Sequence, residues 1–340
     1  MSSKSLLINL IVSAFLGVSI SFGDFYLFHF ILIITLILWI YKVKENDYKI
    51  NISILSKRYV PTMILIFFWY LLSLIWVPNI ELGFKYIFYL FCGITIFLSI
   101  IYFCSNIKNL NKVFHILSFL IFVEIAIALI ESFTTFRMPI SSYSSMATFF
   151  GKDPVNFSEF DNIFLYSNIR PPTGFRWNTN DLAICMIISL PFFLCNKKTL
   201  VKIFGTLVIT TIVIMTASRA VFLSLILIYT LYLFFIKKRI GTLSLVWSIS
   251  LLIIWSMTQL RESENPRINE LANSVDAIIL FLSGDVDIGG SLEWRRELVD
   301  NGLKAFFNSY GVGLGAGGST ANQEIMGAVA GRFTSMHNFW

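Results

Sequence analysis

Arg219 is placed where a cation could bind an anion at the edge of an apolar layer. It belongs to the segment Thr216-Ala217-Ser218-Arg219-Ala220, a short connection between two long apolar stretches. An unpaired guanidinium is costly inside an apolar layer, whereas at the layer's surface it can bind a phosphate through two parallel hydrogen bonds. The sequence therefore leaves two interpretations open: an arginine that extends to lipid headgroups, or a clamp for a lipid-linked phosphate.

Two further cations flank the only pair of adjacent prolines. Arg170 and Arg176 bracket residues 171–175, which read Pro-Pro-Thr-Gly-Phe. The prolines stiffen the chain and the glycine permits a turn, so both guanidinium groups are predicted to project from a constrained loop. Asn178 and Asn180 follow directly, and either could cap the helix that begins with the next apolar stretch.

A third cationic pair, Arg295 and Arg296, lies on a helix predicted to run from Ser291 to about Asn308. At 100° per residue, both arginines fall on the flanks of one apolar stripe, which is formed by Leu292, Val299, Leu303 and Phe306. They could therefore reach past the stripe toward whatever the helix packs on. The alternative is a set of ordinary salt bridges on a solvated helix, with Glu293, Glu297 or Asp300 as partners.

His337 is the histidine best suited to proton transfer. His29 and His115 lie inside or beside apolar stretches, but His337 has polar surroundings and is followed by Asn338. An ordinary imidazole titrates near pH 6.5, so it can act as a general base toward a sugar hydroxyl. A single histidine is not a constellation, and the alternative is a residue with no catalytic role.

The glycine-rich segment 311–318 reads Gly-Val-Gly-Leu-Gly-Ala-Gly-Gly, and we refer to it as the glycine strap. Its glycines formally match the GxGxxG fingerprint of dinucleotide-binding proteins. However, no strand is predicted before the strap, and no acidic residue follows about 20 positions later. We therefore predict a flexible connection and no dinucleotide site.

The composition indicates that lipid surrounds much of this chain. Hydrophobic residues make up 56% of the 340 residues and charged residues only 14%, and the mean hydropathy is +0.75. A soluble protein keeps about a quarter of its residues charged, so the chain is predicted to be an all-α, polytopic integral membrane helical bundle. About 20 apolar residues cross a bilayer, and about nine spans are predicted, at 5–23, 25–41, 59–80, 86–107, 113–130, 182–196, 203–218, 220–236 and 241–260.

Lysine and arginine counts set the predicted orientation. One set of alternate loops carries nearly all the basic residues of the short connections, which is typical of the cytoplasmic side. The amino terminus is then cytoplasmic, and the basic excess marks topology and not a nucleic-acid surface. The predicted organisation is five spans in 1–130, an extracytoplasmic loop at 131–181, four spans in 182–260 and a large extracytoplasmic, partly helical loop at 261–340, whose stretch 268–282 is amphipathic. Glu124, which stands alone inside a span, is expected to hydrogen-bond a neighbouring helix, with a proton relay as the alternative.

The order of these motifs resembles the O-antigen ligase and polymerase superfamily of bacterial envelope glycosyltransferases. The resemblance covers about residues 165–340 and rests on short motifs in a fixed order: Arg170 to Gly174 with Asn180 and Ala183, Thr216 to Ala220, Arg295 to Leu298, Gly311 to Gly315, and His337-Asn338. It departs from the family in that Val299 stands where a tryptophan is frequent and no proline precedes the glycine strap. Because the family continues beyond His-Asn with further spans, the chain is expected to be truncated at Trp340.

The resemblance implies a metal-independent glycosyltransferase of the bacterial cytoplasmic membrane that uses no cofactor. It implies an undecaprenyl-diphosphate-linked glycan as donor, a glycan or lipid A-core as acceptor, and a chain-length regulator protein as a further partner. In this hypothesis Arg219 and Arg295 bind the diphosphate and His337 abstracts the acceptor proton. The remaining substrate contacts come from Arg170, Arg176, Asn180, Arg296 and Asn338.

Polymerisation of repeat units is favoured over ligation, because arginine-bearing loops on both sides of the spans could hold two diphosphate-linked chains. A ligase that transfers the glycan to lipid A-core is the nearest alternative. A glycolipid flippase or secondary transporter would show paired ionisable residues near mid-membrane and inverted repeats, and the sequence shows neither. A non-catalytic membrane scaffold is the third alternative.

Overall fold

A computed structural model describes residues 3–23, 25–44, 59–103, 107–154, 171–216, 218–236 and 291–321. Of this structure 76% is helical and 2% is strand, which confirms the all-α class. The predicted ninth span and the amphipathic stretch 268–282 lie outside the described residues.

A helix overlaps each of the first eight predicted spans. In chain order the helices are α1 (Ser3–Leu16), α2 (Leu27–Lys44), α3 (Tyr59–Ser73), α4 (Ile80–Phe103), α5 (Ile107–Phe133), α6 (Thr179–Leu194), α7 (Thr199–Met215), α8 (Arg219–Leu231) and α9 (Ser291–Asn308). Short 3₁₀ turns lie at Gly17–Ser19 and Ser145–Phe150, and α8 continues into a π-helical turn at Tyr232–Ile236. Two of the described helices are long and apolar enough to cross a membrane, over Ile80–Ile101 and Lys108–Phe133.

Two predicted spans are longer than the helices observed. The first was expected to reach residue 23, but α1 ends at Leu16 and a two-stranded antiparallel hairpin follows, with Ser21–Phe22 (β1) paired to Phe25–Tyr26 (β2). Gly17 and Gly23 have positive φ angles of 50° and 55°, so the backbone leaves the helical conformation at the first and turns back at the second. The third was expected to reach residue 80, but α3 ends at Ser73.

The described residues belong to two compact units. The first unit takes its residues from Met1–Ile11, Leu32–Leu110 and Leu280–Trp340, and the second from Val12–Ile31 and Asn111–Ile279. The second unit has a core around α6 and α7, where Met186, Leu190 and Ile209 have no exposed surface. Gly205 allows this close approach, because a Cβ atom at its position would overlap the ring of Phe193.

In the first unit the glycine strap is hydrogen-bonded to neighbouring residues, whereas the sequence predicted a flexible connection. The N–H of Ala316 donates to Oγ of Ser73 at 2.9 Å, and the indole N–H of Trp76 donates to the carbonyl of Gly313 at 3.2 Å. Gly311, Gly313, Gly315 and Gly317 all have positive φ angles. The strap therefore uses glycine to turn repeatedly against the end of α3 and the turn before α4.

Candidate functional site

Two buried carboxylates on α5 organise the second unit. Glu124 and Glu131 are seven residues apart, which is two helical turns, so both side chains lie on one face of the helix. Neither has any exposed surface. A buried carboxylate requires strong partners, because water no longer stabilises its charge. The partners lie in residues 171–178, which connect to the start of α6 and which we call the Pro-Pro loop.

Three consecutive backbone N–H groups of the Pro-Pro loop donate to these carboxylates. The N–H groups of Thr173 and Gly174 each donate to Oε2 of Glu131 at 2.7 Å, and that of Phe175 donates to Oε1 of Glu124 at 3.1 Å. Hydrogen bonds to an ionised acceptor are about twice as strong as neutral ones. The two carboxylates therefore hold the loop in one conformation through three hydrogen bonds.

Gly174 is required at the centre of this arrangement. Its φ angle is +58°, in the left-handed region that side chains disfavour. A Cβ atom at this position would stand 2.7 Å from Oε1 of Glu124 and 3.2 Å from Cδ1 of Leu182. The glycine that the sequence suggested for a turn thus also allows the loop to approach the carboxylate.

Arg176 is held in a specific orientation by four groups of the second unit. Its Nε lies 3.5 Å from Oε1 of Glu124, and its side chain is 16% exposed. Nη1 donates to the carbonyl of Phe15 at 2.8 Å and Nη2 to Sγ of Cys185 at 3.3 Å. The guanidinium carbon stands 4.8 Å from the centre of the Phe15 ring, within cation–π range. Each terminal nitrogen carries two N–H groups, and each donates one hydrogen bond in these contacts.

Arg176 lines an open cavity of about 600 Å³ between faces of α5 and α6. Along α6 the lining extends from Asp181 to Phe192, which is eleven residues or about 16 Å of helix. The polar lining side chains are Arg176, Asp181 and Ser189, with Cys185 between them, and the other walls are apolar: Phe15, Leu117, Ile121, Ile184, Ile188 and Phe192. The cavity thus combines one cationic and one acidic side chain, Arg176 and Asp181, with largely apolar walls.

The structure shows which of the two candidate asparagines caps the start of α6. Asn178 is the cap residue, and its side chain accepts the N–H of Asp181 at 2.9 Å. Asn180 lies in the first turn of α6, four residues after Arg176 and one before the cavity-lining Asp181. Of the predicted substrate contacts, Arg176 and Asn180 are therefore close in the chain and belong to the same unit.

The structure gives backbone positions for three further predicted residues. Arg219 is the first residue of α8, with Ser218 preceding it in extended conformation. Arg295 and Arg296 lie within α9, whose predicted range of 291 to 308 is confirmed. The side chains of these three arginines lie outside the described part of the structure, as do Arg170, His337 and Asn338 entirely. Their convergence on one substrate stays a prediction.

The sequence did not predict that Glu124 and Glu131 hold the Pro-Pro loop. Glu124 was expected to bond a neighbouring helix, but its partners are the N–H of Phe175 and the guanidinium of Arg176 in a loop. Glu131 had been assigned only the start of an outer loop. The available signal was their seven-residue spacing at the end of an apolar stretch, which places two carboxylates on one helix face.

In the ranges that the structure describes, no three side chains of His, Cys, Asp or Glu lie close enough together to hold a metal ion. No protein-family model, no curated protein and no solved structure matches this chain.

Proposed function

We propose that the chain is a polytopic protein of the bacterial cytoplasmic membrane that polymerises undecaprenyl-diphosphate-linked oligosaccharide repeat units at the outer face. Such an enzyme transfers a glycan from the carrier to an acceptor sugar hydroxyl. The products would be O-antigen, capsule or a similar surface polysaccharide. The proposal places the Pro-Pro loop and α9 on the extracytoplasmic side.

Membrane insertion is supported by the surfaces of the apolar helices. Less than a third of each candidate spanning window, Ile80–Ile101 and Lys108–Phe133, is buried inside the protein. Large apolar side chains such as Leu65, Phe119 and Leu207 are exposed along three different helices. Water would make such surfaces unfavourable at about 25 cal/mol per Å², whereas lipid tails would solvate them.

The observation that carries the proposal is the cavity beside Arg176. A carrier lipid consists of an anionic diphosphate and a long apolar tail, and the cavity combines the guanidinium of Arg176 with largely apolar walls that extend along about 16 Å of α6. Arginine suits a phosphate because its planar donors match two oxygens at once. The carboxylate-held Pro-Pro loop fixes this cation before the ligand arrives, which lowers the ordering cost of binding.

The chemistry that we propose requires fixed cations and one base. When the glycan leaves its carrier, negative charge develops on the diphosphate, and donors that are already oriented stabilise that charge without reorganisation. Arg219 and Arg295 are assigned to the diphosphate, while His337 accepts the proton of the attacking hydroxyl. Arg170 and Arg176 position the glycan or the phosphate, and Asn180, Arg296 and Asn338 make further contacts with the substrate.

Two other functions share some of these features. A ligase would use the same donor and differ only in its acceptor, lipid A-core. A flippase or transporter is favoured by one observation, the buried pair of Glu124 and Arg176, because paired ionisable residues mark substrate pathways in transporters. Arg176 of this pair lines the cavity and Glu124 holds the loop, an arrangement that fits a binding site for a lipid headgroup.

Deletion of the gene in the source organism, followed by gel analysis of the surface glycans, tests the proposal. A polymerase predicts single capped repeat units, a ligase predicts free polymer beside bare core, and a flippase predicts no extracytoplasmic glycan. The full-length gene should restore the ladder, whereas Arg219→Ala and His337→Ala should not, at unchanged membrane abundance. His115→Ala serves as the matched control and should restore a normal ladder. Normal ladders from both Arg219→Ala and His337→Ala would overturn the assignment.

A further inference from the structure

The amphipathic helix α9 ends in apolar side chains that are exposed. Phe307 is 71% exposed and Tyr310 is 97% exposed, and three further large apolar residues share this surface: Leu303, Phe306 and Val312. Leu303 and Phe306 belong to the apolar stripe of the helix, whereas the neighbouring Asn308 points away from it at 100° per residue. We call this group the α9 tip. It is an apolar face that a water-soluble protein would cover.

Tyr310 is the left-handed residue that ends α9, and its backbone is held there by hydrogen bonds. The end of α9 is closed by two hydrogen bonds, from the N–H of Tyr310 to the carbonyl of Phe307 at 3.0 Å and from the N–H of Gly311 to the carbonyl of Phe306 at 2.9 Å. In this type of helix end the residue that Tyr310 occupies is left-handed and is usually glycine. Tyr310 has a φ angle of +54°, the only positive φ of a non-glycine residue among those described.

The strain at Tyr310 is not offset by packing within the protein, because its side chain is almost entirely exposed. A glycine stands at the very next position, so the sequence could have avoided the strain by a shift of one residue. An aromatic ring with a hydroxyl is favourable where one end meets apolar groups and the other meets water.

The glycine strap sets the depth of the α9 tip relative to the apolar helices of the same unit. Ala316 binds Ser73, the last residue of α3, and Gly313 binds Trp76, in the turn before α4. The candidate spanning segment of α4 begins at Ile80. Tyr310 is three residues before Gly313, a reach of at most about 11 Å. The tip thus lies close to the level at which α4 would enter the membrane.

We propose that the α9 tip inserts into the lipid surface at the outer face of the membrane and lays α9 along that surface. Lipid is the occupant because the tip is continuous with the boundary of a spanning helix, and tyrosine is enriched at membrane–water interfaces. The inference rests on the proposed membrane function and extends it. A helix held along the interface carries Arg295 and Arg296 at headgroup level, where a lipid-linked diphosphate lies.

The test measures the depth of nitroxide labels on the full chain in vesicles of phosphatidylethanolamine and phosphatidylglycerol. Single cysteines are introduced as Phe307→Cys, Tyr310→Cys and the matched polar-face control Asn308→Cys, after the native cysteines are replaced by alanine. Phe119→Cys, on the exposed face of α5, serves as the mid-membrane reference. Collision with oxygen, which partitions into lipid, is compared with collision with a water-soluble nickel chelate.

The expected result is that oxygen relaxes the labels at 307 and 310 several-fold more than nickel does, with the opposite order at 308. If nickel dominates at 307 and 310 while the reference at 119 lies in lipid, the inference is overturned and the membrane proposal stands. If neither reagent reaches 307 and 310, a protein surface covers the tip, which also overturns the inference. If nickel dominates at 119, the membrane proposal itself fails.

Discussion

The N–H of Gly174 donates to the carboxylate of Glu131 at 2.7 Å, across 43 residues of sequence. This bond and its neighbours connect the end of α5 to the segment that leads into α6, the two helices that form most of the cavity wall. The position of Arg176 therefore depends on carboxylates that do not face the cavity. A set of substitutions can separate the groups that hold the loop from those that would bind a ligand.

Gly174→Ala should destabilise the protein by about 2–3 kcal/mol, because the new Cβ meets Oε1 of Glu124 and the backbone stays left-handed. The matched control is Gly23→Ala, whose φ of +55° is nearly the same and whose surroundings are open within 4 Å. The control carries only the backbone cost, about 1 kcal/mol. Thermal unfolding midpoints in detergent compare the two. Equal losses would show that the contact with Glu124 is unimportant.

Glu131→Gln should loosen the Pro-Pro loop, because an amide has one acceptor oxygen where three backbone N–H groups now donate: those of Met138, Thr173 and Gly174. The expected cost is about 2–3 kcal/mol, since buried donors are left without partners. Hydrogen–deuterium exchange of residues 171–178 should become faster. Glu81→Gln, an exposed acid in the first turn of α4, should leave exchange in this loop unchanged. Unaltered exchange in the Glu131 variant contradicts the account of how the loop is held.

Glu124 and Arg176 should show strong energetic coupling. Arg176→Gln leaves a carboxylate buried beside fewer positive groups, and Glu124→Gln leaves a largely buried guanidinium, so each single change should cost about 3–5 kcal/mol. The double variant should be less destabilised than the sum of the two, by at least about 1 kcal/mol. Unfolding measurements on all four proteins give the coupling. Strict additivity would mean that the pair contributes no specific interaction.

Gly315→Ala and Gly313→Ala test whether the glycine strap is docked. Both positions have nearly equal φ angles, +84° and +82°, so the backbone cost of a side chain cancels between them. At Gly315 a Cβ would stand 2.9 Å from the carbonyl oxygen of Ser73, whereas at Gly313 nothing lies within 4 Å. The first variant should therefore accelerate hydrogen exchange in the strap, and the second should do so much less. The same behaviour in both would indicate that the strap does not pack on α3.

Local sequence patterns predicted the helices well where one rule governs the chain. The start of α6 follows from the cap at Asn178, and the range of α9 follows from its periodic apolar stripe. Apolar composition could not predict that α1 ends at Leu16, because the end of the helix depends on the left-handed conformations of Gly17 and Gly23. Composition also predicted a flexible strap. Glycine permits mobility and close contact alike, so the glycine content alone could not distinguish a flexible segment from a packed one.

The candidate site was predicted in part. Arg176 was selected because the prolines and Gly174 predict a constrained loop, and the structure shows that this loop is constrained. The carboxylates that hold it belong to another helix, and no local rule connects Glu131 with residues 42 and 43 positions away. Long-range pairing of this kind depends on how α5 packs beside α6, which periodicity alone does not determine.

The most direct test of the central claim is the binding of a carrier lipid at the Arg176 cavity. Purified full-length chain in lipid nanodiscs is titrated with undecaprenyl diphosphate and, separately, with the uncharged alcohol of the same tail. The wild type should bind the diphosphate at least about tenfold more tightly than the alcohol, a difference of about 1.4 kcal/mol. Arg176→Gln should lose this preference, and Ile188→Trp, which enlarges a side chain of the cavity wall, should weaken the binding of both ligands. Leu200→Trp, at an exposed site on α7, should resemble the wild type. Equal affinity for both ligands in the wild type, or an unchanged preference in Arg176→Gln, would contradict the account.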